Sequence, residues 1–285
     1  MSPERNGQKP DSTEPPPSTE QTRRPSMRAA SVWGAARDSL AAVRNLDALL
    51  RSTVPYTTIR DLLPELSTSA GVLRDVFAAA GQMDDAGDDA RTAVGEFGEG
   101  RVAAFEELLE NLGASGGSRA ELAQTTRTLA DELEASADLL ALLERASSPI
   151  VTEISVARIA QETGRMSGAT GRGRVVVVRF HEERPDCVVE GDPFLVGSLL
   201  ALVTATVDAE GLGALTLRTR CTPPHARFVV EPSTPADAAL PTIPVRVMAK
   251  IPPTETAVHR LAEQVGALLE LGGGRATVTL PEAVR

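Results

Sequence analysis

The sequence predicts an α+β protein in which a helical hairpin or bundle precedes an α/β sandwich. Leucines recur at heptad spacing between residues 118 and 146, which is typical of packed helices. Beyond residue 150 the pattern changes to short β-branched runs separated by apolar helical stretches, as expected for helices that cover one side of a mixed sheet. The chain has 285 residues, of which 42% are hydrophobic, so it is long enough to build both parts.

The first part of the chain is predicted to hold a tail and several helices. Residues 1–27 are polar and rich in proline, which is typical of a disordered tail. A helix is expected over about 28–52. A second helical pattern follows this helix, and Pro64, which lies inside the second pattern, should kink or interrupt it. Residues 84–110 carry nine acids. We interpret them as a charged linker and helix face, because the alternate-position ligands of a calcium loop are missing.

The helix that follows residue 118 has the clearest period in the chain. Ser118 and Glu121 stand three residues apart, which predicts a capping box at its start. The apolar positions then alternate in steps of four and three. They form a heptad seam of Leu122, Thr126, Leu129, Leu133, Ser136, Leu140 and Leu143. Such a seam packs against another helix. We expect it to join two copies in a homodimer, and the alternative is the core of an intramolecular bundle.

The second part is predicted to begin within a glycine-rich interdomain loop at residues 168–173. The predicted boundaries place the helical bundle at 28–166 and the sandwich domain at 170–285. Strands are expected near residues 175–180, 186–189, 215–219, 228–230 and 276–280. Helices are expected over 154–166, over 193–207 and over 257–271, the last of these stopped by three glycines.

Composition excludes several classes of function. The net charge is −10 and aromatic residues make up 3%, which disfavours nucleic-acid binding. No apolar run reaches the length of about 18–20 residues that a membrane span needs, and no signal peptide is recognisable, so we expect a cytoplasmic protein. Cys187 and Cys221 lack paired spacing and are expected to be buried, unlinked thiols. With three histidines in all, no metal site is expected.

Several stretches resemble the ATP-binding domain of sensor histidine kinases, which are Bergerat-type ATPases. The Gly191-Asp192-Pro193 run before a long helix resembles the start of the helix that carries the family's asparagine box. Residues 266–274 resemble its last helix and turn, and the heptad helix matches the second helix of its dimerisation hairpin. The resemblance covers about residues 118–282. It implies a dimerisation hairpin followed by an ATPase domain.

The sequence departs from this family where the family does its chemistry. The box of the form N-L-L-x-N-A is aligned with Ala201 and Ala205, so both amides that would help to hold magnesium are methyl groups. Glu231 stands near the position of the acid that accepts the adenine amino group, but the accompanying glycines are missing. The glycine box of the lid is absent between residues 236 and 245. No histidine occurs before His181 to receive phosphate.

These departures imply a pseudokinase, a non-catalytic regulator or scaffold that acts by binding proteins. We expect no catalytic residues, no cofactor and no metal. The expected partners are a second copy, a response regulator or a histidine kinase. The alternatives are a divergent ATP-binding kinase or ATPase that uses Glu231 and Asp192, a phosphotransfer adapter, and an interaction protein unrelated to kinases.

Overall fold

The computed structural model describes residues 27–81, 89–114, 118–165, 174–184, 186–208 and 214–283. The helices are α1 (Met27–Arg51), α2 (Tyr56–Asp61), α3 (Leu63–Gly81), α4 (Asp89–Gly113), α5 (Arg119–Ala146), α6 (Val156–Arg165), α7 (Pro193–Val207) and α8 (Thr254–Gln264). The strands are β1 (Thr152–Ser155), β2 (Arg174–Glu182), β3 (Val188–Gly191), β4 (Leu215–Thr222), β5 (His225–Pro232), β6 (Thr242–Val247), β7 (Leu268–Gly272) and β8 (Arg275–Pro281).

Three sequence predictions fall outside the described residues. They concern the tail over residues 1–26, the acidic stretch 84–88 and the glycine-rich loop 168–173. Within the described ranges, no helix is long and apolar enough to cross a membrane.

Helices α1, α3, α4 and α5 of one chain form a closed bundle. The start of α5 lies beside the end of α1, where Arg119 donates a hydrogen bond of 2.7 Å to the carbonyl oxygen of Leu50. On the other side of α5, Arg91 near the start of α4 donates to the carbonyl oxygen of Leu143 at 2.9 Å. Both contacts show that α5 runs antiparallel to its two neighbours. Helix α3 completes the ring, because it packs against both α1 and α4.

The heptad seam is the core of this bundle. Leu133 is 0% exposed and Leu143 is 1% exposed within a single chain, and the other three seam leucines are also buried. The predicted homodimer interface along this seam is therefore wrong, because its leucines already pack inside the bundle of their own chain. A homodimer would have to use another surface. The predicted capping box is confirmed: the Ser118 hydroxyl accepts a hydrogen bond from the Glu121 N–H, and the Glu121 carboxylate accepts one from the Ser118 N–H.

A half-buried ion network fixes α1 against α5. The Arg44 guanidinium donates to both carboxylate oxygens of Glu134, at 2.7 and 2.6 Å, and also pairs with Asp131. The hydrogen bonds to Glu134 are the main reason that the pKa of Arg44 is raised. A bidentate pair of this kind fixes the rotation of one helix relative to the other as well as their separation.

The second part is a mixed six-stranded sheet covered on one face by α6, α7 and α8. Its strand order is β6-β2-β4-β5-β8-β7. Strands β2 and β4 are parallel, and all other neighbours in this sheet are antiparallel. The predicted α+β class is therefore confirmed. The predicted long helix is also confirmed, because α7 begins at Pro193 behind an Asp192 N-cap and ends at Val207.

The boundary between the two parts lies earlier than predicted. Residues 152–155 form β1, which pairs with β3 as a separate antiparallel ribbon. Helix α6 then packs against α7 and β6 rather than against the bundle. The reason is its inner face, where Ile159 is fully buried and Gly197 of α7 lets the two backbones approach closely. The helical bundle therefore ends near residue 146 instead of 166.

The last predicted helix is also shorter than expected. Helix α8 ends at Gln264, and Gly266 has a φ of +72°, a conformation that glycine adopts without strain. The following residues form β7 instead of a helical turn. Gly273 and Gly274, with φ values of +59° and +69°, make the hairpin turn into β8. Leu268, which falls within the helix predicted over 257–271, is instead 71% exposed on β7.

Cys187 and Cys221 form a disulfide, with Cα atoms 6.2 Å apart. The prediction of two unlinked thiols is therefore wrong, although both residues are buried as expected. The bond joins the residue before β3 to β4, two segments that are separated by 34 positions in the chain. Structural disulfides are commonest in oxidising compartments, so a cytoplasmic location stays a prediction.

We expect Leu133→Asp to destabilise the bundle strongly. The substitution removes a fully buried leucine and places an unpaired carboxylate in an apolar core, so the free energy of unfolding should fall by about 3–5 kcal/mol. Urea unfolding of both proteins measures the change. The matched control is Gln124→Asp, which adds the same charge at an exposed position of the same helix. Equal losses in the two variants would contradict the bundle described here.

Removal of the disulfide should also destabilise the chain. Loop closure over 34 positions predicts that Cys221→Ser lowers the free energy of unfolding by about 3–4 kcal/mol relative to the oxidised protein. A reductant should lower the unfolding midpoint of the parent chain but leave that of Cys221→Ser unchanged. An intact mass with two free thiols in the purified, non-reduced protein would count against the bond.

Candidate functional site

The two faces of the large sheet have different surroundings. Along β5, Ala226, Phe228 and Val230 are buried beneath the helices, whereas Arg227 and Glu231 lie on the opposite face. No described helix covers this second face, which we call the open face. Helix α7, which carries the aligned asparagine-box positions, belongs to the covered face.

The three predicted nucleotide positions are not brought together. Ala201 and Ala205 are each 7% exposed within the apolar core that α7 forms with its neighbours. Glu231 projects from the open face, so the sheet itself lies between this carboxylate and the two alanines. Methyl groups at positions 201 and 205 offer no oxygen to a hard cation. The aligned positions therefore do not make a common pocket.

Glu231 is held in ion pairs on the open face. One carboxylate oxygen accepts a hydrogen bond of 2.8 Å from Nε of Arg218, and the other lies 3.4 Å from Nε of Arg275. Arg218 also donates from Nη2 to Asp237 at 2.5 Å. The residue predicted as a stand-in for the adenine-binding acid thus stabilises contacts between β4, β5, β8 and the segment after β5.

The segment that corresponds to the family's lid is fixed to the sheet. Pro235–Ala239 form a 3₁₀ turn, and the chain continues directly into β6, which pairs along β2. Asp237 is 3% exposed and accepts hydrogen bonds from the Thr234 N–H at 2.8 Å and from the Thr234 hydroxyl at 2.9 Å. The hydrogen bond from the Thr234 N–H is the main reason that the pKa of Asp237 is lowered to about 2, and Arg218 contributes to the shift.

Asp192, the other acid considered for a nucleotide pocket, is occupied by the main chain. It is 2% exposed, and Oδ1 accepts hydrogen bonds from the N–H groups of Phe194 and Leu195 at 2.9 and 3.3 Å. Oδ2 accepts from the N–H of Ile150 at 3.0 Å and lies 3.4 Å from Arg145. This carboxylate therefore positions the start of α7 and the linker that follows α5.

A cavity of about 720 Å³ that no sequence motif predicted lies on the open face. Four arginines from β4, β5 and β8 line it, above a floor of Val229 and two threonines. We call this surface the arginine groove; its defining residues are Arg218, Arg220, Arg227, Arg275, Val229, Thr277 and Thr279. The signal was present in the sequence, because arginine occurs at alternate positions of β4 and so lies on a single face of that strand.

The three histidines do not form a metal site with other ligands. His225 lies at one end of the arginine groove, His259 is exposed on α8 and His181 is half-buried on β2. Among the described residues, no group of three or more His, Cys, Asp or Glu side chains is placed to hold a metal ion.

Comparison with known proteins gave structural neighbours alone. No family model matches the chain, and no curated protein matches it. It is similar to the histidine kinase AdeS of Acinetobacter baumannii, with 10% identity, a TM-score of 0.42 and coverage of 64% of this chain and 94% of that chain. It is also similar to full-length ShkA in complex with AMPPNP, with 12% identity, a TM-score of 0.40 and coverage of 59% and 40%, respectively.

A third neighbour is a histidine kinase from Burkholderia phymatum, with 16% identity and a TM-score of 0.32 over 77% of this chain and 97% of that chain. The solved structures to which the chain is similar are thus histidine kinases, the family whose motifs the sequence resembles.

Protonation of Asp237 should loosen the fixed segment at low pH. Its folded pKa of about 2 lies below the ordinary value of 3.8, so its contribution to stability is complete above about pH 4 and is lost as the pH falls towards 2. Asp237→Asn should therefore be less stable than the parent chain near neutral pH, and this difference should shrink below about pH 3. Urea unfolding across this range tests it, and a difference that is independent of pH would contradict the assignment.

Proposed function

We propose that this chain does not transfer phosphate from ATP and acts as a signalling regulator that binds other proteins. The observation that carries the proposal is the fixed segment between Thr234 and Val247. In a kinase of the resembled family this region closes over the phosphates, whereas here it is a capped 3₁₀ turn followed by a paired strand. A segment that is tied to Arg218 and to β2 is poorly suited to opening and closing around a ligand.

The positions aligned with the family's magnesium-holding asparagines support the same proposal. Phosphoryl transfer depends on a metal ion and on precise placement of charge around the phosphates. Ala201 and Ala205 contribute methyl groups to a closed core, and Glu231 is engaged by Arg218 and Arg275 on the far side of the sheet. Restoring this chemistry would require changes at several separate places.

The missing phosphoacceptor argues against a phosphotransfer adapter as well. No histidine occurs in the sequence before His181, so the bundle has no imidazole to receive phosphate. The proposed role is therefore binding without relay of phosphate. Proteins of two-component signalling, such as a response regulator or a histidine kinase, are the proposed partners.

Thermal unfolding with and without millimolar Mg-ATP tests the absence of nucleotide binding. We expect no change in the unfolding midpoint. A ligand that bound the folded chain at 100 times its Kd would add about 2.7 kcal/mol to stability and would move the midpoint visibly. Magnesium alone and ATP with a chelator are the matched controls. A shift that requires both components would contradict the proposal.

A positive shift would then be assigned with Glu231→Ala. If ATP is bound or hydrolysed and this variant abolishes the effect, the divergent kinase or ATPase replaces the regulator as the better account. The variant also removes a partner of Arg218, so circular dichroism must first confirm that the sheet is intact.

A further inference from the structure

Two arginines face each other across neighbouring strands of the open face. Arg220 of β4 and Arg227 of β5 are register partners, and both belong to the exposed positions of their strands. Side chains of directly opposed residues have Cβ atoms about 4.5–5.5 Å apart, and like charges at such positions destabilise a sheet. The two like charges do not stabilise the pair of strands, whereas an anion bound between the two guanidinium groups would interact favourably with both.

Among the described residues, the arginine groove contains one cation without an ion-pair partner. Arg218 and Arg275 share Glu231, and Arg218 also pairs with Asp237. Arg220 contacts Glu183 at 3.2 Å in a pair that is largely exposed to solvent. Within the described part of the chain, no carboxylate forms an ion pair with Arg227. Arg227 is therefore the cation of the groove that is open to a carboxylate of a ligand, and it lies directly opposite Arg220.

The shape of the arginine groove favours an extended ligand. Thr279 is the register partner of Arg227 and also of Leu268, so one row of side chains runs from β4 to the terminal strand β7. It offers two cations, then a hydroxyl group and then the 71% exposed side chain of Leu268. A segment lying along this row would meet positive charge at one end and an apolar side chain at the other.

We propose that the arginine groove docks an acidic, extended segment of a protein partner, with carboxylates between Arg220 and Arg227. This inference rests on the proposed function, because it names the chemistry of the protein that the regulator binds. A nucleic acid fits less well, since no Phe, Tyr or Trp among the described residues lines the cavity to stack on bases. Charge complementarity of this kind mainly accelerates association and selects the partner.

The test uses the full chain and a short fluorescein-labelled polyglutamate peptide, followed by fluorescence anisotropy at low salt. We expect saturable binding that weakens about tenfold in Arg227→Glu and that weakens as salt is added. The matched control is Arg158→Glu, which makes the same charge change at an exposed position of α6 in the helix layer. It should bind like the parent chain. Arg227→Gln gives a milder variant if charge reversal disturbs folding.

Three results would overturn the inference. The parent chain does not bind the peptide, Arg158→Glu weakens binding as much as Arg227→Glu does, or single-stranded DNA of equal length displaces the peptide more effectively than unlabelled polyglutamate. The outcome can be separated from the Mg-ATP test, because Ala201 and Ala205 lie in the helix layer and an Mg-ATP shift that arises there should persist in Arg227→Glu. If the parent chain binds no peptide and shows no Mg-ATP shift, the inference about the arginine groove is wrong and the proposed function stands. If the parent chain binds the peptide but shows an Mg-ATP shift, the proposed function is wrong and the inference about the groove stands.

Discussion

The buried carboxylate of Asp192 joins the helical bundle to the sheet domain. One oxygen caps α7, and the other accepts the N–H of Ile150 in the linker and lies beside Arg145 at the end of α5. Arg145 in turn lies 4.3 Å over the ring of Phe194 in the first turn of α7. A single side chain therefore fixes both the direction of the linker and the start of the central helix of the sandwich, which packs with α8 against α5.

Helix α5 is shared by the two parts of the molecule. Residues 133–140 are buried at every position, because α1 and α4 lie on one side of the helix and α7 and α8 on the other. A helix that is enclosed in this way must be apolar or well paired all round, and Glu134 meets the requirement through Arg44. The bundle and the sandwich therefore form one continuous apolar core, and the open face of the sheet lies outside it.

Sequence patterns predicted the helices and strands that neighbouring residues determine. They missed the features that depend on contacts between residues far apart in the chain. Ser118 caps α5 as its spacing from Glu121 indicates, the long helix begins directly after Asp192, and the alternation in β5 and β8 marks real strands. By contrast, the leucines of β7 fit a helix equally well, and only the chain reversal at Gly266 excludes one. The sequence contains no sign of which helix fills the far side of the heptad seam, nor that Cys187 meets Cys221. The same holds for the candidate site. The resemblance located Glu231 at the end of a strand, but it could not indicate on which face of the sheet the side chain lies.

The order of the helices in the bundle has a consequence for the route by which the chain folds. Three of the helix contacts in the bundle, α1 with α3, α3 with α4 and α4 with α5, join helices that follow one another in the ring and can form rapidly, whereas α1 and α5 close the ring at a separation of 90 residues between Arg44 and Glu134. The sheet needs β2 to find β6, which lies beyond α7, β4 and β5 in the chain. We expect the bundle to form first and then to offer α5 as a ready surface on which α7 assembles. The late, non-local sheet is then guided by a template within the same molecule, which shortens the time for which its strand edges are exposed to other chains.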